Sequence, residues 1–235
     1  MKSSVFAVVL ILVLGGSALA QGGKPWSDWS KRDSDRMLND SAWAQSLKRG
    51  ESQPDITSRS GGSGNQSQGV QGPPPVPTEV NLRVRLISAK PIREGFASRL
   101  LRAQQNPNDE LKGRLQTAID NGFGDFIIVA VNADGQNPQT LGATLGALMR
   151  LKTADLDDKV YLERKDGKRL ELVEYKAPVA DDMGGKFIFP RTLDGSPFLT
   201  PDSDSVRFVL NLSGNLKLNV KFDVAKMNYN GNLEY

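Results

Sequence analysis

The sequence of 235 residues contains no cysteine and no histidine, and each absence removes chemistry. Without thiols there is no disulfide, so stability has to come from burial in a core. Without imidazole or thiol there is no Ser-His-Asp or Cys-His nucleophile system, and no zinc site of the usual nitrogen and sulfur ligands. Catalysis in such a chain would rest on carboxylates, Lys, Tyr or Ser. No motif specifies a nucleotide, a metal or another cofactor, and none is expected.

Long apolar runs are also scarce. The run Val5–Leu14 is ten residues long, about half of what a helix needs to cross a bilayer. Preceded by Lys2 and followed by Ala18-Leu19-Ala20 before Gln21, it reads as a cleaved signal peptide over residues 1–20. The expectation is an exported, periplasmic or extracellular protein with no transmembrane anchor after cleavage. The missing Cys at the cleavage site also removes a lipid anchor. Charge is nearly balanced, 30 Lys and Arg against 27 Asp and Glu, and the leader takes Lys2 with it. The alkaline isoelectric point, about 9.1, reflects the lack of His and Cys buffers between the carboxylates and the lysines. No block of five or six like charges occurs, so nucleic acid is not an expected partner.

What is present falls into three parts. Residues 21–49 form an arm that carries all three tryptophans, Trp26, Trp29 and Trp43. Ser30 stands where an N-cap belongs, with Asp33 in the first turn, which predicts a helix over Lys31–Asn39. Asp40 or Ser41 would start a second turn presenting Trp43. So short a helix is marginal alone, so its apolar side chains need a surface. Trp26, Trp29, Met37, Leu38 and Trp43 are therefore candidate partner-binding residues, for an envelope protein or for the chain's own domain. Residues 50–78 are rich in Gly, Ser, Gln and Pro and read as a disordered linker spanning about 30 Å.

Residues 79–235 carry strand patterns. Leu82, Val84 and Leu86 alternate with Asn81, Arg83 and Arg85, as in a strand with one wet face. Ile92, Phe96, Leu100 and Leu101 fit one helix face, and Glu110–Asp120 a second helix capped at Asn108 or Asp109 and stopped at Asn121-Gly122. Phe126–Val131 suits a central strand covered on both faces, and Leu141–Met149 a short helix or irregular strand. Asp166-Gly167 and Asn230-Gly231 are hairpin turns, the first joining Val160–Leu162 to Arg169–Tyr175. Phe187–Phe189, Val206–Leu212, Leu216–Val224 and a last strand with Leu233 and Tyr235 complete the strands. The fold class expected is mainly β, an immunoglobulin-like sandwich with a two-helix insert after the first strand.

Trp26-Ser27-Asp28-Trp29-Ser30 leading to Leu38-Asn39-Asp40-Ser41-Ala42-Trp43, then Phe187-Ile188-Phe189-Pro190-Arg191, and the segment from Phe222 to Glu234 together resemble a family of uncharacterised exported bacterial proteins. Some of its members are labelled by a Gly-Trp-x-Thr-Asp (GWxTD) motif domain; here Asp28-Trp29-Ser30 stands without that pentapeptide. The resemblance implies export and architecture and brings no activity with it. Asp155, Asp157 and Asp158, Asp181-Asp182, and Asp202 with Asp204 read as turn and cap residues, since none follows calcium-loop spacing. Lys217, Lys221 and Lys226 with Asn219 read as a solvated edge that discourages aggregation. The function expected is an exported, non-catalytic protein acting by protein–protein interaction or as an envelope accessory. A carbohydrate- or cation-binding module and a carboxylate-dependent hydrolase are the alternatives.

Overall fold

The computed structural model describes residues 24–49, 79–213 and 216–235. The expected signal peptide and the linker at 50–78 lie outside the described residues. In chain order the elements are α1 (Lys31–Asn39), β1 (Ala44–Arg49), β2 (Val80–Leu86), α2 (Lys90–Ala103), α3 (Asp109–Asn121), β3 (Phe126–Gly135) and α4 (Pro138–Arg150). There follow β4 (Val160–Arg164), β5 (Arg169–Glu171), β6 (Glu174–Lys176), β7 (Gly185–Pro190), a ribbon of β8 (Thr192–Leu193) with β9 (Ser196–Pro197), β10 (Ser205–Asn211), β11 (Lys217–Asp223) and a ribbon of β12 (Asn228–Tyr229) with β13 (Asn232–Leu233). The fold is mixed α/β with antiparallel sheets.

Two sheets carry the core: β1-β2-β3-β7-β6, and β11-β10-β4-β5. Register assigns the faces. Leu82, Val84 and Leu86 lie opposite Ala133, Val131 and Val129, and Val129 lies opposite Phe187. This face meets the second sheet, where Phe208 stands 5.3 Å from Phe187 and 6.3 Å from Phe189 between ring centroids. Val206, Phe208 and Leu210 on β10 and Leu218, Val220 and Phe222 on β11 all point inward, so alternation on these strands separates core from water. The other face of the five-stranded sheet, with Ala44, Arg85, Ala130, Ile128 and Ile188, is buried under α1 and α2. The order of layers is helices, five strands, four strands. At the sheet's far edge the Tyr175 hydroxyl donates to Leu148 O of α4 at 2.7 Å. Gly185 is required beneath it, because a Cβ there would lie 2.4 Å from that hydroxyl.

The local signals explain most elements. Asn108 accepts from Leu111 N and caps α3, which Gly122 ends at φ 57. Asn137 accepts from Gln139 N and Thr140 N, so Leu141–Met149 is helical despite its two glycines. The turns at Gly167 (φ 84) and at Asn230 and Gly231 (φ 52 and 84) use left-handed backbone as expected.

Four expectations need correction. After Ser41 the chain makes no second helical turn; Ser41 bridges to Ala44 and the chain runs into β1. The β2 face carrying Arg85 is not wet, because α1 and α2 cover it. Leu100 turns away from the core and is 53 % exposed. Arg169–Tyr175 is not one strand: it breaks at Leu172 and Val173, so that β5 pairs with β4 and β6 crosses to β7 in the other sheet.

β1 also changes the meaning of residues 50–78. Arg49 pairs directly with Val80, so the segment joins two neighbouring antiparallel strands and its ends are fixed side by side. Replacing residues 51–78 with a four-residue turn is expected to leave the fold intact and to raise stability by about 1–2 kcal/mol through reduced loop-closure entropy, read from urea unfolding. Loss of folding would show that the segment itself holds the structure together.

Candidate functional site

The candidate residues of the arm lie inside the protein. Ser30 and Asp33 form a reciprocal capping box that starts α1, and the helix turns Ser34, Met37 and Leu38 inward. Trp26, Trp29, Met37, Leu38 and Trp43 are all at most 7 % exposed. Each indole N–H has a partner: Trp26 Nε1 donates to Gln116 Oε1 at 2.7 Å, Trp29 Nε1 to Lys24 O at 3.0 Å, and Trp43 Nε1 to Glu234 O at 2.7 Å. Trp43 also stands edge-on to Tyr229, with centroids 6.0 Å apart. Leu38 packs so closely on α2 that a Cβ at Gly95 would lie 3.0 Å from it. The five side chains are therefore buried against their own chain and are not the exposed anchors that a partner would need.

Two arginines of the main domain hold the arm by its backbone. Arg102 donates to Trp29 O at 3.0 Å and to Ser34 Oγ at 2.6 Å. Arg85, 1 % exposed, donates through Nε to Leu38 O at 2.6 Å and through Nη2 to Asn39 Oδ1 at 3.0 Å, with Phe96 5.4 Å from its guanidinium carbon. Its Nη1 has no partner among the described residues. Burial and the neighbouring Arg83 and Arg99 lower its pKa to about 10. Nothing in the sequence marks Arg85 as different from Arg83, since both fit the polar half of one alternation.

Arg85 thus combines useful hydrogen bonds with an uncompensated charge. Arg85→Ala is expected to cost about 3 kcal/mol or more, because it empties the stem's space and strips Leu38 O and Asn39 of donors. Arg85→Met keeps the stem and removes the charge, and is expected to lose markedly less in urea unfolding. Equal losses would mean that the bonds alone matter.

Glu94 is the other buried ionic group, 6 % exposed. The Tyr229 hydroxyl donates to its Oε2. Burial pushes its pKa up, against the opposing effects of Tyr229 and Lys90, and Glu234 adds to the rise. A carboxyl whose folded pKa is raised contributes stability that is full below its unfolded pKa and is lost as pH rises through the folded value. Glu94→Gln keeps an acceptor for Tyr229, so its melting temperature is expected to fall less than the wild type's between pH 4 and pH 7. Parallel pH profiles would contradict this.

Several further ionisable groups are tied into local bonds. Asp181 accepts from Met183 N and pairs with Lys186, and Asp182 pairs with Arg99. Asp158 and Asp182 occupy left-handed turns at φ 56 and 59. Arg191 donates to Gly124 O and Phe126 O and lies 4.6 Å from the Tyr235 ring centroid, which makes it a brace between segments. A groove of about 500 Å³ is lined by residues that include Arg164, Lys165, Asp166, Asp202 and Asp204. Arg164 holds the Asp166 carboxyl at about 2, and Lys165 pairs with Asp204. Among the described residues, no three His, Cys, Asp or Glu side chains are grouped as a metal ion would need, and no helix is long and apolar enough to cross a membrane.

No family model matches the chain and no curated protein does. Among solved structures, a novel protein of unknown function from Burkholderia pseudomallei K96243 is similar at a TM-score of 0.38 and 12 % identity, covering 60 % of this chain and 74 % of that one. A likeness at this level carries neither a function nor a fold assignment.

Proposed function

We propose that the chain is an exported, non-catalytic protein that acts in the cell envelope by binding through its surface. Its leader-like residues 1–20 support export. The observation that carries the non-catalytic part is that five arginines are engaged in holding main chain, since Arg85, Arg93, Arg102, Arg164 and Arg191 all donate to backbone carbonyls, and the buried Glu94 is held by the Tyr229 hydroxyl. The tryptophans are equally engaged, which leaves the outer faces for recognition. The face-to-face antiparallel sheets support the finer reading of an immunoglobulin-like core, to which the helices are additions.

Two assays test the proposal. Fused to a reporter that lacks its own signal, residues 1–30 are expected to direct export with cleavage after Ala20; a reporter retained inside the cell would contradict it. Purified protein incubated with soluble glycans, with and without calcium, is expected to release no reducing sugar. Release abolished by a single carboxylate substitution would replace this reading with the hydrolase alternative.

A further inference from the structure

We propose that the outer face of β10 and β11 binds an acidic polysaccharide, an inference that deepens the reading of an exported surface-binding protein. Antiparallel register places Arg207 directly opposite Lys221, and Asn211 opposite Lys217, with Asn219 between the two lysines. All five are exposed. Like charges directly opposite each other on a sheet are destabilising. Among the described residues, Arg207, Lys217 and Lys221 have no ion pair within 4.0 Å, whereas the cations of the neighbouring half are matched, Arg169 to Glu163 and Lys165 to Asp204. Arg207 also lies opposite Glu163, which is paired with Arg169, and Asp223 at the end of β11 is paired with Lys226, so the unpaired positive charge of the four-stranded sheet is gathered on β10 and β11.

The ordinary explanation for edge lysines is protection against strand addition. On β11 two side chains of β1 already engage part of that edge. Gln45 Nε2 donates to Lys221 O, and Arg49 Nη2 donates to Lys217 O at 3.4 Å. These bonds engage two β11 carbonyls, and they bring Arg49 beside Lys217 as a fourth cation. The lysines are therefore not the edge's only guard among the described residues.

The chemistry of the face selects among polyanions. Lys217 and Lys221 are separated by about 13 Å along the strand, a span suited to a polymer rather than to one small anion. Asn211 and Asn219 offer both donors and acceptors, which match sugar hydroxyls. A membrane would want apolar side chains to insert, but Val209, between these residues, is half-buried. Single-stranded nucleic acid would want a free aromatic ring on which to stack, but Tyr161, the ring on this face, is covered by the Arg169 guanidinium at 4.2 Å. Carboxylate or sulfate groups interspersed with hydroxyls fit the alternation of cation and amide.

The test measures binding of residues 21–235 to heparin and polygalacturonate at low salt, with dextran as the neutral control. Both acidic polymers are expected to bind and dextran is not. Arg207→Gln/Lys217→Gln/Lys221→Gln is expected to weaken binding about tenfold or more, since three exposed charge contacts are removed. Lys112→Gln/Arg114→Gln/Lys152→Gln, which lowers net charge equally elsewhere, is expected to leave binding unchanged. Unaltered tryptophan emission shows that both variants are folded. Equal loss in the two variants, or no binding of either polymer, overturns the proposal. So does stronger, face-dependent binding to phosphatidylglycerol vesicles or to DNA. Export and catalysis do not enter this readout, so its failure is distinct from failure of the exported, non-catalytic reading.

Discussion

The structure depends on covering one face of its central sheet without a covalent staple. Ile128, Ala130, Ile188 and Arg85 form that face, and α1, with Met37 and Leu38 turned inward, is its cover together with α2, while Trp26 is tied to α3 and Trp43 to the last residues of the chain. Burial of three indoles contributes on the order of 10 kcal/mol, more than the 2–4 kcal/mol typical of a disulfide. Apolar burial has no direction, however. Direction comes from Arg85 and Arg102, whose guanidiniums reach Leu38 O and Trp29 O, and from Trp43, whose N–H reaches Glu234 O near the chain's other end. In a chain without cysteine, arginine-to-carbonyl bonds fix register where a disulfide would otherwise fix it.

This explains why the sequence is legible in some places and silent in others. Strands β10 and β11 are bounded by water on one face, so their alternation survives burial and can be read directly. Helices α1 and α3 declare themselves through Ser30 and Asn108, whose side chains satisfy amides within the same turn, whereas α4, whose two glycines leave helix or strand open in the sequence, is helical with Asn137 capping its first turn. β1 is different. Ala44-Gln45-Ser46-Leu47-Lys48-Arg49 is polar and short, and it becomes a strand only because β2 offers an unpaired edge, a long-range fact with no local signature. The same blindness applies to Arg85, whose alternation matches that of Arg83 although only one of them is roofed by helices. The break at Leu172 and Val173 is equally tertiary, since it is set by the separation of two sheets.

The candidate site was legible only as chemistry. The sequence marks Trp26, Trp29, Met37, Leu38 and Trp43 as side chains that require burial, and the structure buries them. What the sequence does not contain is the identity of the surface, which a short amphipathic helix leaves open. With the arm turned inward, the outer faces carry the proposed recognition. There the imbalance of Arg207, Lys217 and Lys221 against the matched charges of β4 and β5 is the clearest feature. The β1 strand links the two observations, because it belongs to the arm yet places Gln45 and Arg49 against β11.

All three tryptophans lie between residues 26 and 43, so indole fluorescence reports on the arm while far-ultraviolet circular dichroism reports on the sheets and helices. Following both through one urea titration of residues 21–235 tests whether the arm is integral to the fold. Blue-shifted emission that iodide quenches poorly, independent of protein concentration, is expected, with a single transition of the same midpoint for both probes. Red-shifted, freely quenched emission, or an indole transition completed before the sheets unfold, would contradict it.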